Sequence, residues 1–333
     1  ALQESTAMLP KCISDLISEN SYSTRERSDN EIRSSSPFKE RIMFSGSMVA
    51  IVTPFDNQGQ FAEETYRQLI DFQIENGTDV IVPCGTTGES ATLDVDEHEY
   101  VIKVCLDQVN KRVPVIAGTG ANNTAEAIHL SNKAKDMGAD GLLLVCPYYN
   151  KPSQEGIFQH YKLLAEKVAL PQILYNVPGR TGVNMTSATT VRLAEFDNIV
   201  AIKEASGSLT QVSEILAKAG EKIDVISGDD FLTFPMMCCG AKGVISVSAN
   251  AIPKQVKDMV EAVLNADYMM ARKLHLEMLD FHNAMFIESN PVPVKKTLEL
   301  MGKLQANVRL PLVDMSDETL ERLKSVLKKY NVI

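Results

Sequence analysis

Lys203 closes an apolar run, IVAIK over residues 199–203, and is the first candidate nucleophile in the chain. An amine attacks a carbonyl only when uncharged, and withdrawal from water favours that form, so a lysine at the end of a buried strand suits imine chemistry. Taken alone, such a lysine could equally snorkel to solvent. Its company argues otherwise. Tyr175 ends a second apolar run and opens YNVPGRTG, where a phenol could carry protons to and from imine intermediates. Arg180, in a loop between Pro178 and Gly182, offers a planar fork for a carboxylate, with a surface ion pair as its alternative. Thr86 and Thr87, between Gly85 and Gly88, supply hydroxyls and turn N–H groups to a small anion. Together these four elements read as a keto-acid site.

Something must bring them together. From Met43 onward the chain repeats a short β-branched run, a polar or glycine-containing turn and an amphipathic stretch of helical length. The runs are MVAIVT, DVIVPC, VPVIAG, GLLLVC, QILYNV, IVAIKE, DVISGD and GVISVS. They show little polar alternation, as parallel strands buried on both faces should. Eight such units fit a closed (β/α)8 TIM barrel, an α/β fold, better than a very wide open sheet. No GxGxxG follows the first strand to suggest a dinucleotide fold. Barrel chemistry gathers at the C-terminal strand ends, and the residues above all lie there. We expect a catalytic barrel over 43–265 and a C-terminal helical subdomain over 266–333. Residues 1–42, Ser-rich and mixed in charge, are expected to be a disordered extension.

Composition narrows the function classes. With 333 residues, 44% of them hydrophobic, the chain can bury a full core, and a formal charge of -10 argues against a nucleic-acid surface. The six cysteines, Cys12, Cys84, Cys105, Cys146, Cys238 and Cys239, form no CxxC pair, so reduced thiols and no metal are expected. No run approaches the roughly 20 apolar residues of a membrane span, and no secretory core is visible, so a cytoplasmic location is expected. His129, His160, His275 and His282 fall in helical patterns and are expected to be solvated or satisfied within the core.

In its motifs GSMVAIVTPF, GTTGESATL, CPYYNKPSQEG, LYNVPGRTG, AIKEASG, SGDD and GVISVSAN, the chain from Met43 on resembles the dihydrodipicolinate synthase family of pyruvate-dependent class I aldolases. The resemblance implies that Lys203 forms an imine with pyruvate while Tyr175, Thr86 and Tyr149 make a proton relay. It implies that Thr87 holds the pyruvate carboxylate and Arg180 that of L-aspartate 4-semialdehyde, with Gly228 and Ile245 lining the pocket. Tyr149 would then reach into a neighbouring subunit of a homotetramer, a dimer of dimers. No metal or redox cofactor is implied, since the imine is itself the electron sink. Ser90, Ala91, His98, Asn122, Glu126 and Tyr148 match the family's site for the effector L-lysine, whereas Val95 stands where the feedback-sensitive pattern has histidine.

Two rivals stand beside this reading. One is an N-acetylneuraminate or keto-deoxy sugar-acid aldolase, which shares the lysine, the tyrosine and the hydroxyl turn. Arg180 weighs against it, because a sugar pocket favours small or hydroxyl side chains there. The other is an inactive barrel that binds a keto acid as a sensor, disfavoured because every strand-end group the chemistry needs is present.

Overall fold

Each β-branched run of the sequence forms a parallel strand in the computed structural model, which describes residues 44–333. The expected extension over 1–42, with Cys12 and Met43, lies outside the described residues. The strands are β1 Gly46–Ala50, β2 Val80–Val82, β3 Ile116–Gly118, β4 Gly141–Val145, β5 Gln172–Asn176, β6 Ile199–Glu204, β7 Asp224–Ser227 and β8 Gly243–Ser246. They pair in the order β2-β1-β8-β7-β6-β5-β4-β3, and an isolated parallel bridge between Ile81 and Val115 completes the ring. This is the (β/α)8 barrel.

Helices alternate with the strands: α1 Glu63–Glu75, α2 Val95–Val109, α3 Thr124–Met137, α4 Gln154–Lys167, α5 Pro178–Thr181, α6 Ser187–Leu193, α7 Leu209–Ala219, α8 Thr233–Cys238 and α9 Pro253–Leu264. Their starts are written in local chemistry. Asp94, Asn123, Ser153 and Ser208 each accept a hydrogen bond from a backbone N–H of the first turn. Gly138 closes α3 in the left-handed conformation. Three further helices follow, α10 Tyr268–Ala284, α11 Val292–Leu300 and α12 Asp317–Lys329, and form the C-terminal helical segment. The YNVPGRTG stretch, expected as a loop, instead contains one helical turn, α5. Pro178 supplies its first position and Gly182 its left-handed stop.

Strand alternation sorts the core into two layers. Ile173, Tyr175, Ala201, Ile226 and Ile245 face the barrel interior, while Leu174, Ile202, Val225 and Val244 pack outward against the helices. Lys203, two residues after Ala201, therefore faces inward, and Glu204 faces outward. Among the described residues no helix is long and apolar enough to cross a membrane. Cys84, Cys105 and Cys146 are buried free thiols, whereas Cys238 and Cys239 are exposed.

The histidines depart from expectation. His129 is exposed beside Glu99, but His160, His275 and His282 are buried and each leaves one ring nitrogen without a partner among the described residues. Burial pushes His160 down to about 4, and it lowers His98, His275 and His282 as well. A histidine whose folded pKa lies below its unfolded value leaves stability intact above the unfolded pKa and removes it as pH falls further. For His160 that loss, spread between roughly pH 6.5 and 4, amounts to about 3 kcal/mol. The melting temperature should thus drop more steeply below pH 6.5 in the natural chain than in His160→Gln. Parallel slopes in thermal unfolding would remove His160 as the source.

Candidate active site

The inward alternation of β5 and β6 and the register that pairs Tyr175 with Lys203 bring the two candidate catalytic groups side by side. The Lys203 Nζ lies 4.3 Å from the centre of the Tyr175 ring, and both side chains are buried, Lys203 at 5% exposure. Nζ thus lies against the face of the ring that carries the phenolic hydroxyl. Gly228, on the neighbouring β7 end, leaves the space they need. A Cβ there would fall 3.1 Å from Lys203 Cε and 2.6 Å from Ala205 Cβ. Ile245 is fully buried in the same inner layer.

The threonine turn after β2 is clasped from three sides. Thr53 Oγ1 donates to Gly88 O at 2.7 Å, and Asn290 Nδ2 donates to Thr87 Oγ1 at 3.0 Å. Glu89, in a left-handed conformation at φ 55°, sends its carboxylate to the Lys295 ammonium and to the Arg309 backbone N–H at 3.1 Å. Lys295 and Glu89 are both fully buried. Arg309 in turn holds the Glu97 carboxylate with both guanidinium nitrogens.

Asn290 joins two parts of the site. Its side chain holds Thr87, its backbone carbonyl accepts from Arg180 Nη2 at 3.3 Å, and its Oδ1, in a residue 5% exposed, has no partner among the described residues. Arg180 itself is exposed at the end of α5 and makes no ion pair among the described residues. Thr86, Val177, Arg180 and Thr181 share one cavity with Ser90, Ala91, His98, Glu126 and Tyr148. Asn122 is not in its wall, but its Nδ2 donates to the Tyr148 carbonyl at 3.2 Å.

Tyr149 is not brought to this group. Its side chain is 88% exposed on a backbone held at φ 69°. Asp229, just after Gly228, is a carboxylate the sequence reading passed over. Burial raises it to about 6, against the opposing pull of Lys203 and with the help of Asp230 and Glu204. Asp230 is instead fully engaged: it accepts from Ser246 Oγ and from the N–H groups of Val247 and Ser248. Among the described residues no group of three or more His, Cys, Asp or Glu side chains is placed to hold a metal ion.

Residues 43–330 match the model of the dihydrodipicolinate synthetase family. A 4-hydroxy-tetrahydrodipicolinate synthase of Syntrophotalea carbinolica is 66% identical over 291 residues, covering 87% of this chain and 99% of that protein. Among solved structures, the Acinetobacter baumannii dihydrodipicolinate synthase complexed with pyruvate superposes with a TM-score of 0.86 at 47% identity, covering 87% of this chain and all of that one. The enzyme from Cyanidioschyzon merolae with lysine bound gives 0.85 at 38% identity, covering 87% and 99%.

Proposed function

Because the chain belongs to the dihydrodipicolinate synthetase family, we propose that its barrel mouth joins pyruvate to L-aspartate 4-semialdehyde through an imine on Lys203. It is a lyase of lysine biosynthesis by the diaminopimelate route, making 4-hydroxy-tetrahydrodipicolinate. The observation that carries the residue assignment is the buried Lys203–Tyr175 pair at 4.3 Å. The Lys203 amine adds to C2 of pyruvate, the carbinolamine loses water, and the imine gives up a C3 proton to become an enamine. C3 then attacks the aldehyde, and the substrate's own amino group displaces lysine as the ring closes.

In this reading Tyr175 and Thr86 move the protons, and Thr87, fixed by Asn290, holds the pyruvate carboxylate. Arg180 takes the carboxylate of the aldehyde, and the groups lent by Gly228 and Ile245 shape the pocket. Tyr149, exposed in the single chain, supports an assembly in which it completes a partner's mouth, and a dimer of dimers satisfies that need. The barrel to residue 265 carries the chemistry, and the segment from 266 clamps it through Asn290, Lys295 and Arg309. No metal or redox cofactor enters, because the imine draws off the electrons. The location is cytosolic.

Mixing the protein with pyruvate, the semialdehyde and the downstream reductase, and following NADPH, tests the substrate pair. A signal with N-acetylmannosamine plus pyruvate and none with the semialdehyde would favour the sugar-acid rival.

L-Lysine is the proposed effector at Ser90, Ala91, His98, Asn122, Glu126 and Tyr148. His98 Nε2 faces the Gly118 carbonyl at 2.7 Å, so it carries the hydrogen, and Nδ1 is left as an acceptor for an ammonium. Val95 offers no polar contact, which weakens the site. Saturating lysine should lower the rate; an unchanged rate and pyruvate dependence would reject the assignment.

A further inference from the structure

Glu204 follows Lys203 directly on β6 but faces the other side of the sheet. It is 1% exposed, and its carboxylate is surrounded by neutral donors. Asn176 Nδ2 donates to both oxygens at 3.2 and 3.1 Å, the Ser206 backbone N–H donates at 2.7 Å, and Gln211 Nε2 donates at 2.9 Å. Both oxygens accept and neither donates, which is the pattern of a carboxylate. Among the described residues no lysine, arginine or histidine forms an ion pair with it. A buried anion is ordinarily paired with a cation, because amide dipoles solvate the charge without cancelling it. Here no ion pair cancels the charge, and its field reaches the barrel mouth, where Asp229, raised chiefly by burial and lowered by Lys203, is raised a little further by Asp230 and Glu204.

We propose that Glu204 is a positioning residue whose uncancelled charge, one residue behind Lys203 and across the strand, is the countercharge for the protonated imine formed there. The inference rests on the imine reading of Lys203. When the neutral amine adds to the keto acid and the carbinolamine hydroxyl, taking a proton from the Tyr175 phenol, leaves as water, nitrogen keeps one hydrogen and acquires a full positive charge in a largely buried position. Loss of the C3 proton then cancels that charge. A fixed anion on the outer face favours the cationic imine over its neutral forms without occupying the space the substrate needs. Binding by amides instead of a lysine or arginine is what keeps this anion available. A purely structural carboxylate would be better served by a cation.

The test is labelling of the full chain with pyruvate and cyanoborohydride, which reduces the protonated imine, followed by mass spectrometry across a pH series. Tyr175 and Asp229, the titratable groups sharing the mouth, are kept in every variant. Glu204→Gln should retain its melting temperature within a few degrees. Its labelling should slow on the order of tenfold, and the alkaline limb of the pH profile should move to lower pH. Gln211→Lys, which brings a cation to the intact carboxylate, should reproduce both changes, whereas the neutral Gln211→Met should not. If Glu204→Gln fails to fold, the Gln211 pair carries the comparison alone. Unmoved rates and limbs in Gln211→Lys would overturn the countercharge, as would equal effects of the lysine and methionine variants. Failure of the natural chain to label at all would instead bring down the imine reading itself.

Discussion

Lys203→Ala is expected to lower turnover on the order of 10⁴-fold or more, because it removes the covalent route and not merely a contact. Lys203→Arg keeps a cation at the strand end but cannot form the imine, so it should be equally inactive. Both variants should fold, since position 203 faces the open mouth of the barrel and not its packed outer layer. Pyruvate-dependent mass addition should vanish in each. A Lys203→Ala protein that kept a tenth of the activity would move the nucleophile elsewhere, and the fully buried Lys295 would be the first place to look.

The second large effect is expected at Lys295 and Glu89, far from Lys203 in sequence but part of the same mouth. Burial pushes the Lys295 ammonium down to about 8 against the pull of Glu89. The two form a fully buried ion pair, and each member depends on the other. Lys295 also donates to the Asn307 carbonyl at 2.8 Å and lies over the Phe55 ring at 4.3 Å. Removing one partner leaves a buried charge uncompensated, at a cost of about 3–5 kcal/mol. For a chain of this size that corresponds to a fall of roughly 10 °C in melting temperature. Glu89→Gln and Lys295→Met should each show it, and the double variant should recover part of the loss. Because Glu89 fixes the turn two residues after Thr87, KM for pyruvate should rise in the single variants even where folded protein is saturating. A lowered melting temperature with an unchanged pyruvate KM would separate the pair from the turn.

The sequence made the barrel legible because parallel strands are apolar on both faces. IVAIKE over 199–204 coincides with β6, and QILYNV overshoots β5 by a single residue. The same logic made Lys203 and Tyr175 visible, since a charged or phenolic group that interrupts an apolar run at a strand end stands out. Val177 to Thr181 misled, because proline and glycine mark a turn without saying that one helical turn fits between them. Asn290, Lys295 and Glu89 were missed for a different reason. Their importance lies in contacts 203 and 206 residues apart, and neither SNPVPVKK nor the glutamate after GTTG advertises a partner. Glu204 was likewise hidden: a polar residue after a strand-end lysine reads as solvated until its neighbours are seen to be amides. The buried histidines show the same limit, for helical periodicity tells which face is inward but not whether both ring nitrogens find partners there.

The ring of strands is completed between β2 and β3 by an isolated bridge, Ile81 to Val115, supported by Ile81 N–H to Pro114 O and Gly118 N–H to Pro83 O. A junction with few ladder bonds opens at low free energy, and amides along it exchange with solvent through such openings. Thr86 and Thr87 ride on this junction, so the proposed carboxylate pocket would be built on a part of the barrel with few ladder bonds. The contacts from Asn290 and Lys295 hold the turn on the β2 side of that seam. Breathing of the hoop and occupancy of the pocket are thereby coupled: a bound carboxylate, by engaging the threonine turn, should slow exchange of amides that it never touches.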